Sequence, residues 1–159
     1  MKSTAFRNSG FTLVEMLVTM GILAILAAAI LPLAKNTVKR EKEIELRRNL
    51  RILRTAIDDY KKMADEKKFE IDEDTEGYPP NLEILVEGVE IKDDNDGDKK
   101  KIHKFLRRIP KDPMTNSFEW GLRAYNDDSD STSWGGDNVY DVYTKSPGTA
   151  LDGTKYRDW

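Results

Sequence analysis

Few residues in this chain have the chemistry to act as a reactive or binding site, and their spacing narrows the choice. The 159 residues include no cysteine and one histidine, His103. That excludes disulfide frameworks, thiolate zinc sites, cysteine nucleophiles and multi-histidine metal sites. Acids are abundant, 29 against 26 bases, for a net charge of −3. They gather in two stretches. Asp93-Asp94-Asn95-Asp96-Gly97-Asp98 looks like half an EF-hand, but aligning Gly97 with the invariant glycine puts Lys92 at the first ligand position and leaves no glutamate at the last. Asp127, Asp128, Asp130 and Asp137 fall in a polar connecting stretch. Both read as solvated loops, since no nucleophile or orienting partner accompanies the carboxylates. The charge balance gives no support to nucleic-acid binding. No catalytic constellation is expected among these residues.

One acid stands apart. Glu15 is the single charge within residues 11–34. A charge near the centre of a bilayer costs about 2.5–3.5 kcal/mol even on lenient insertion scales, so it requires a partner.

The elements that carry these residues follow from hydropathy. Mean hydropathy is −0.65 and 35% of residues are charged, yet the average conceals a division. Residues 1–10 are short, polar and basic, with Lys2, Arg7 and no acid. Residues 11–34 are apolar and, as a helix, about 36 Å long, enough to cross a bilayer core. Pro32 is expected to kink that helix near its far end, and Gly21 is a second soft point. Residues 35–68 contain no Gly or Pro, and Leu46, Leu50, Leu53, Ile57, Tyr60 and Ala64 recur at spacings of four and three. That is one apolar stripe on a charged helix. The economical reading is a single helix over about residues 12–68, apolar all round in its first half and amphipathic in its second.

Residues 69–159 read as a globular head. Acids, Gly and Tyr78-Pro79-Pro80 mark a turn, and Asn81 caps a short helix running to residue 86. A second helix is expected over 99–108, with Ile102, Phe105, Leu106 and Ile109 inward and His103 at the surface, ended by Pro110 and Pro113. Residues 117–125 and 138–144 alternate as strands around the polar loop 126–137. The stretch 145–159 is a C-terminal loop. The fold class is therefore α+β, a long N-terminal helix packed on a small head with a short antiparallel sheet.

Three readings compete for residues 1–34. A Sec signal peptide would offer cleavage after small residues near 27–29 or 32–34, but the apolar run is long for one and contains Glu15. A plain signal anchor fits the length and leaves Glu15 unexplained. The basic residues Lys2 and Arg7 on one side and Lys35, Lys39 and Arg40 on the other do not set an orientation. In the third reading the chain is cut between Gly10 and Phe11. The new amino terminus then lies about one turn from Glu15, and amine and carboxylate neutralise each other within or between chains, which rewards stacking of copies in register.

Gly10-Phe11-Thr12-Leu13-Val14-Glu15-Met16-Leu17 resembles the signal of type IV pilins and type II secretion pseudopilins. Tyr78-Pro79, Leu82, Leu85 and Ile109-Pro110-Lys111-Asp112-Pro113 followed by Asn116 are similar to the head of major pseudopilins, as is the run 139–146. The resemblance implies cleavage after Gly10 by a prepilin peptidase, N-methylation of Phe11, and a loosened helix at Pro32. It implies a single pass of the inner membrane with a periplasmic head, then homopolymerisation into a periplasmic pseudopilus that supports protein export. Minor pseudopilins and an inner-membrane assembly platform would be partners. It also implies a calcium ion in the C-terminal loop, with Asp152 and Asp158 as side-chain ligands and Ser146 and the Leu151 carbonyl as further donors. The alternatives are a type IV pilin for adhesion or motility, and a bitopic anchored binding domain or enzyme for which the helix is a tether. Loss of Lys2 and Arg7 with the leader would leave 24 bases against 29 acids.

Overall fold

The computed structural model describes residues 10–93 and 96–159, with the side chains at 29, 31–33, 73, 92–93 and 96–100 outside that description. The expected leader at 1–9 and Asp94-Asn95 of the EF-hand-like run also lie outside it. The chain divides into two compact units, Met1–Lys39 and Arg40–Trp159.

Helix α1 (Leu13–Asp65) opens the fold. It runs unbroken through position 32, and its ends match the sequence reading to within about three residues. At its C-terminus Lys68 N–H donates to the Met63 carbonyl and Lys67 N–H to the Ala64 carbonyl, with Lys67 left-handed at φ 54°. This is the Schellman arrangement, here completed by lysine rather than the usual glycine. In the first unit the described apolar side chains are exposed, Phe11 at 80%. Among the described residues no helix is long and apolar enough to cross a membrane; the side chains at 29 and 31–33, inside the expected span, are not among them.

In the second unit the stripe is the core. Leu46, Leu50, Leu53, Ile57, Tyr60 and Ala64 are all buried, none more than 5% exposed. All but Ala64 pack with Leu82, Leu85, Leu106, Trp120, Val139 and Val142. Each such side chain contributes about 1.5–3 kcal/mol by leaving water, so the stripe makes this half of α1 the backbone of the head.

The head is α+β as expected, but its sheet is two separate hairpins. Helix α2 (Ile84–Glu87) is a single turn, started by the Asn81 side chain, whose Oδ1 accepts from Ile84 N–H at 2.9 Å. Strand β1 (Val89–Asp93) pairs antiparallel with β2 (Asp96–His103), in register Val89↔His103. This corrects the helix expected over 99–108. Ile102, Phe105, Leu106 and Ile109 do not share a helical face: Ile102 is exposed on β2, while Leu106 is buried and Phe105 and Ile109 pack on the core. Phe105 and Leu106 N–H groups both donate to the Leu85 carbonyl instead of to a helix. His103 closes β2 with its ring edge-on to Phe105 at 4.9 Å. The physical reason is that Val89 and Ile91, both β-branched, give the basic run a partner strand. Gly88, at φ 90°, admits the close approach, since a Cβ there would lie 2.4 Å from the His103 carbonyl oxygen.

Strands β3 (Gly121–Arg123) and β4 (Asp141–Tyr143) fall inside the two stretches read as strands and pair antiparallel with Leu122 opposite Val142. The Tyr143 ring covers Gly121, where a Cβ would meet it at 2.3 Å.

Candidate functional site

The start of α1 is the first candidate. Gly10, Phe11 and Thr12 precede the helix and are exposed, so the Gly10–Phe11 peptide bond sits on accessible, non-helical backbone. Thr12 and Glu15 then form a reciprocal cap. Thr12 N–H and Oγ1–H both donate to Glu15 Oε2 at 2.9 Å, and Glu15 N–H donates to Thr12 Oγ1 at 3.3 Å. This is a capping box, which satisfies backbone donors that the first helical turn otherwise leaves unpaired. Sequence reasoning asked only what neutralises Glu15 and missed that Thr-x-x-Glu just before an apolar run is itself a helix-start signal. The carboxylate also complements the positive end of the helix dipole.

The C-terminal segment is the second candidate. Three α1 residues on one face, Glu43, Arg47 and Arg54, hold it. Glu43 Oε1 accepts from Leu151 N–H and from the Tyr156 hydroxyl, both at 2.9 Å. The Arg47 guanidinium lies 4.1 Å over the Trp159 ring and 3.4 Å from Asp152 Oδ2. Leu50 is buried beneath. Arg54 binds Asp141 at 2.7 Å, the Val142 carbonyl, and the Trp159 main-chain oxygen at 2.7 Å. Burial first, and then the hydrogen bond to Glu43, push the Tyr156 hydroxyl up to about 12. The Trp159 indole N–H donates to Thr154 Oγ1, closing the segment on itself.

Of the residues that the resemblance assigns to calcium, Asp152, Asp158 and Ser146 have side-chain partners within the chain. Asp152 Oδ1 accepts from Thr154 Oγ1–H at 2.6 Å and Thr154 N–H at 3.0 Å. Those two bonds, chiefly the hydroxyl's, hold its carboxyl below the usual range. Asp158 lies 3.6 Å from Arg157. Ser146 Oγ accepts from Gly148 N–H, and Leu151 is held through its N–H. Among the described residues no three acidic or histidine side chains converge as a cation cage.

The motif 109–116 builds the third constellation. Asp112 is fully buried. Its carboxylate accepts from Met114 N–H, from the Thr115 hydroxyl and, at 2.5 Å, from the Thr144 hydroxyl. Asn116 completes the turn in the left-handed region at φ 58° and donates its N–H to the Asp112 carbonyl. Asn49 of α1 donates to the Lys111 carbonyl and Trp120 Nε1–H to the Pro110 carbonyl. In the acidic loop 126–137, Asp127 Oδ2 accepts from Ala124 and Gly135 N–H groups, while Asp128, Asp130 and Asp137 are exposed.

A family model for the prokaryotic N-terminal methylation motif matches residues 6–31. No curated protein gave a match to the chain, and no solved structure did. The matched stretch contains Gly10, Phe11, Thr12 and Glu15. It marks the chain as a substrate of prepilin peptidase of the type IV pilin kind. Proteins bearing this motif are structural subunits of pilus-like assemblies.

Proposed function

We propose that the chain is a structural subunit of a type II secretion pseudopilus. Residues 11–34 hold it in the inner membrane with its head in the periplasm. Prepilin peptidase cuts between Gly10 and Phe11, Phe11 is N-methylated, and the subunit joins copies of itself through its N-terminal helix, alongside minor pseudopilins and an assembly platform. The observation that carries the reading is the methylation motif joined to a head containing the Pro110-Lys111-Asp112-Pro113 turn and Asn116. The motif is common to type IV pilins; the turn is what favours secretion.

Physically, an apolar helix exposed all round needs lipid or other helices about it. Passage from bilayer to filament core exchanges one apolar setting for another, so the apolar surface never meets water. Glu15 is the exception in that surface, and a neighbouring Phe11 amine compensates its charge where an unpaired carboxylate would be costly.

Mass spectrometry of the membrane-extracted protein is the test. The expected amino terminus is N-methyl-Phe11. A chain that retains Met1, or that begins after Ala34, overturns the reading.

A further inference from the structure

Arg47, Arg51 and Arg54 recur at spacings of four and three, so they share one face of α1. With Leu50, Asp58 and Trp159 they line a cavity of about 490 Å³. The three guanidiniums are not equally engaged. Arg54 is spent on Asp141 and the Trp159 oxygen. Arg47 stacks on the Trp159 ring and reaches Asp152 across an exposed 3.4 Å pair. Arg51 has no hydrogen bond or ion pair among the described residues. An unpaired guanidinium beside an aromatic wall is suited to a carboxylate, which it receives as a two-pronged donor.

The same subunit carries the complement. Residues 126–137 hold four aspartates and no base, whereas residues 40–54 hold six bases against three acids. Asp128 and Asp130 are exposed and their carboxylates have no partner among the described residues. None of the described ion pairs joins the two stretches within the chain. Two patches that complement each other can pair between copies, and where such a contact is head-to-tail and its rotation does not close, it propagates into an open helical polymer.

We propose that the Arg51 cavity, walled by Arg47 and the Trp159 ring, receives the Asp128–Asp130 loop of a second copy. The contact rests on the filament reading and adds to it a recognition step between the globular heads, outside the apolar helices. It selects register by charge, while the helices supply adhesion.

The absence of native cysteine makes the test clean. The full-length chain carrying Arg51→Cys and Asp130→Cys together is expressed in a host that assembles pilus-like filaments, and sheared polymer is oxidised with copper–phenanthroline in air. A ladder of disulfide-linked multimers is expected from the double variant and not from either single one. In a second arm, Arg51→Asp and Asp130→Arg each lower the yield of sheared polymer several-fold, and the combination restores it. Both positions are exposed, so melting temperatures of the variants are expected to match the parent's. Sheared polymer without a ladder, or without rescue, overturns this contact and leaves the filament reading standing. A processed, methylated chain that yields no polymer at all overturns both. Loss of binding to phosphatidylglycerol vesicles by Arg51→Asp, with polymer yield unchanged, assigns the cavity to lipid headgroups and also overturns the contact.

Discussion

The Thr144 hydroxyl, one residue past β4, donates to the buried Asp112 carboxylate at 2.5 Å, and that bond joins the 109–116 turn to the strand that follows the acidic loop. Asp112 accepts three hydrogen bonds with no exposure to water. Removing the carboxylate would strand buried donors, and hydrogen bonds to charged groups are worth about 1.5–3 kcal/mol each. Asp112→Ala is expected to destabilise the head by about 3 kcal/mol or more in urea unfolding. Thr144→Val, which keeps the shape but loses the donor to Asp112 and the acceptor for Ser146 N–H, should cost about 2 kcal/mol. The double variant should cost less than the sum, because the two residues share a bond. Additive losses would show that the Asp112–Thr144 bond is not a stabilising link.

The C-terminal staple leads to a prediction about metal. Glu43 holds both Leu151 and Tyr156, and Arg54 holds Trp159, so the loop is closed by side chains of α1. Chelation of divalent cations is expected to leave the melting temperature of the detergent-solubilised full chain unchanged. Glu43→Ala, which removes both acceptor contacts at once, should destabilise it by about 2 kcal/mol. A fall in melting temperature on chelation, restored by calcium, would restore the ion that the resemblance implies and demote the staple.

The stripe from Leu46 to Ala64 was legible in the sequence because helical burial leaves a periodic trace that distant contacts do not alter. The helix start was legible in position but not in mechanism, since Glu15 attracted an electrostatic question and its partner Thr12 lay three residues away. The β1–β2 hairpin was not read, because the run Lys99-Lys100-Lys101-Ile102-His103 has no strong preference by itself. Its conformation is decided by Val89 and Ile91 across the turn and by Gly88, which lets the chains approach. The staple was also illegible: Glu43, Arg47 and Arg54 look like ordinary surface charges on an amphipathic helix. Only the fold brings them to residues more than a hundred positions later, as with Arg54 and Trp159.

Alkaline pH gives a direct readout of the staple. Tyr156 is held neutral to about pH 12 by burial and by its bond to Glu43, against about 10 in an unfolded chain. The folded state binds that proton more tightly, so the contribution is fully present below about pH 10 and is lost as pH rises towards 12. Burial raises Tyr60 and Tyr78 as well, so the wild type should lose stability progressively over this range. Tyr156→Phe should be less stable at neutral pH, having lost the Glu43 bond, but should show a shallower decline above pH 10. An unchanged slope would mean that Tyr156 titrates normally in the fold.

The capping box and the proposed pairing between subunits make different demands on Glu15, which one substitution separates. In the capping box its side chain accepts from Thr12 N–H and Oγ1–H, and glutamine performs that task nearly as well as glutamate. Pairing with a Phe11 amine, by contrast, requires the negative charge. Glu15→Gln should therefore keep the helix start and permit cleavage after Gly10, while sharply lowering the yield of sheared polymer. Thr12→Ala should do the reverse, weakening the cap while leaving the charge available, so polymer yield should fall less. The measurements are mass spectrometric mapping of the amino terminus and polymer yield for the two variants side by side. If Glu15→Gln polymerises as well as the parent, the acid serves this chain only as a cap, and the register between subunits must be set by contacts elsewhere.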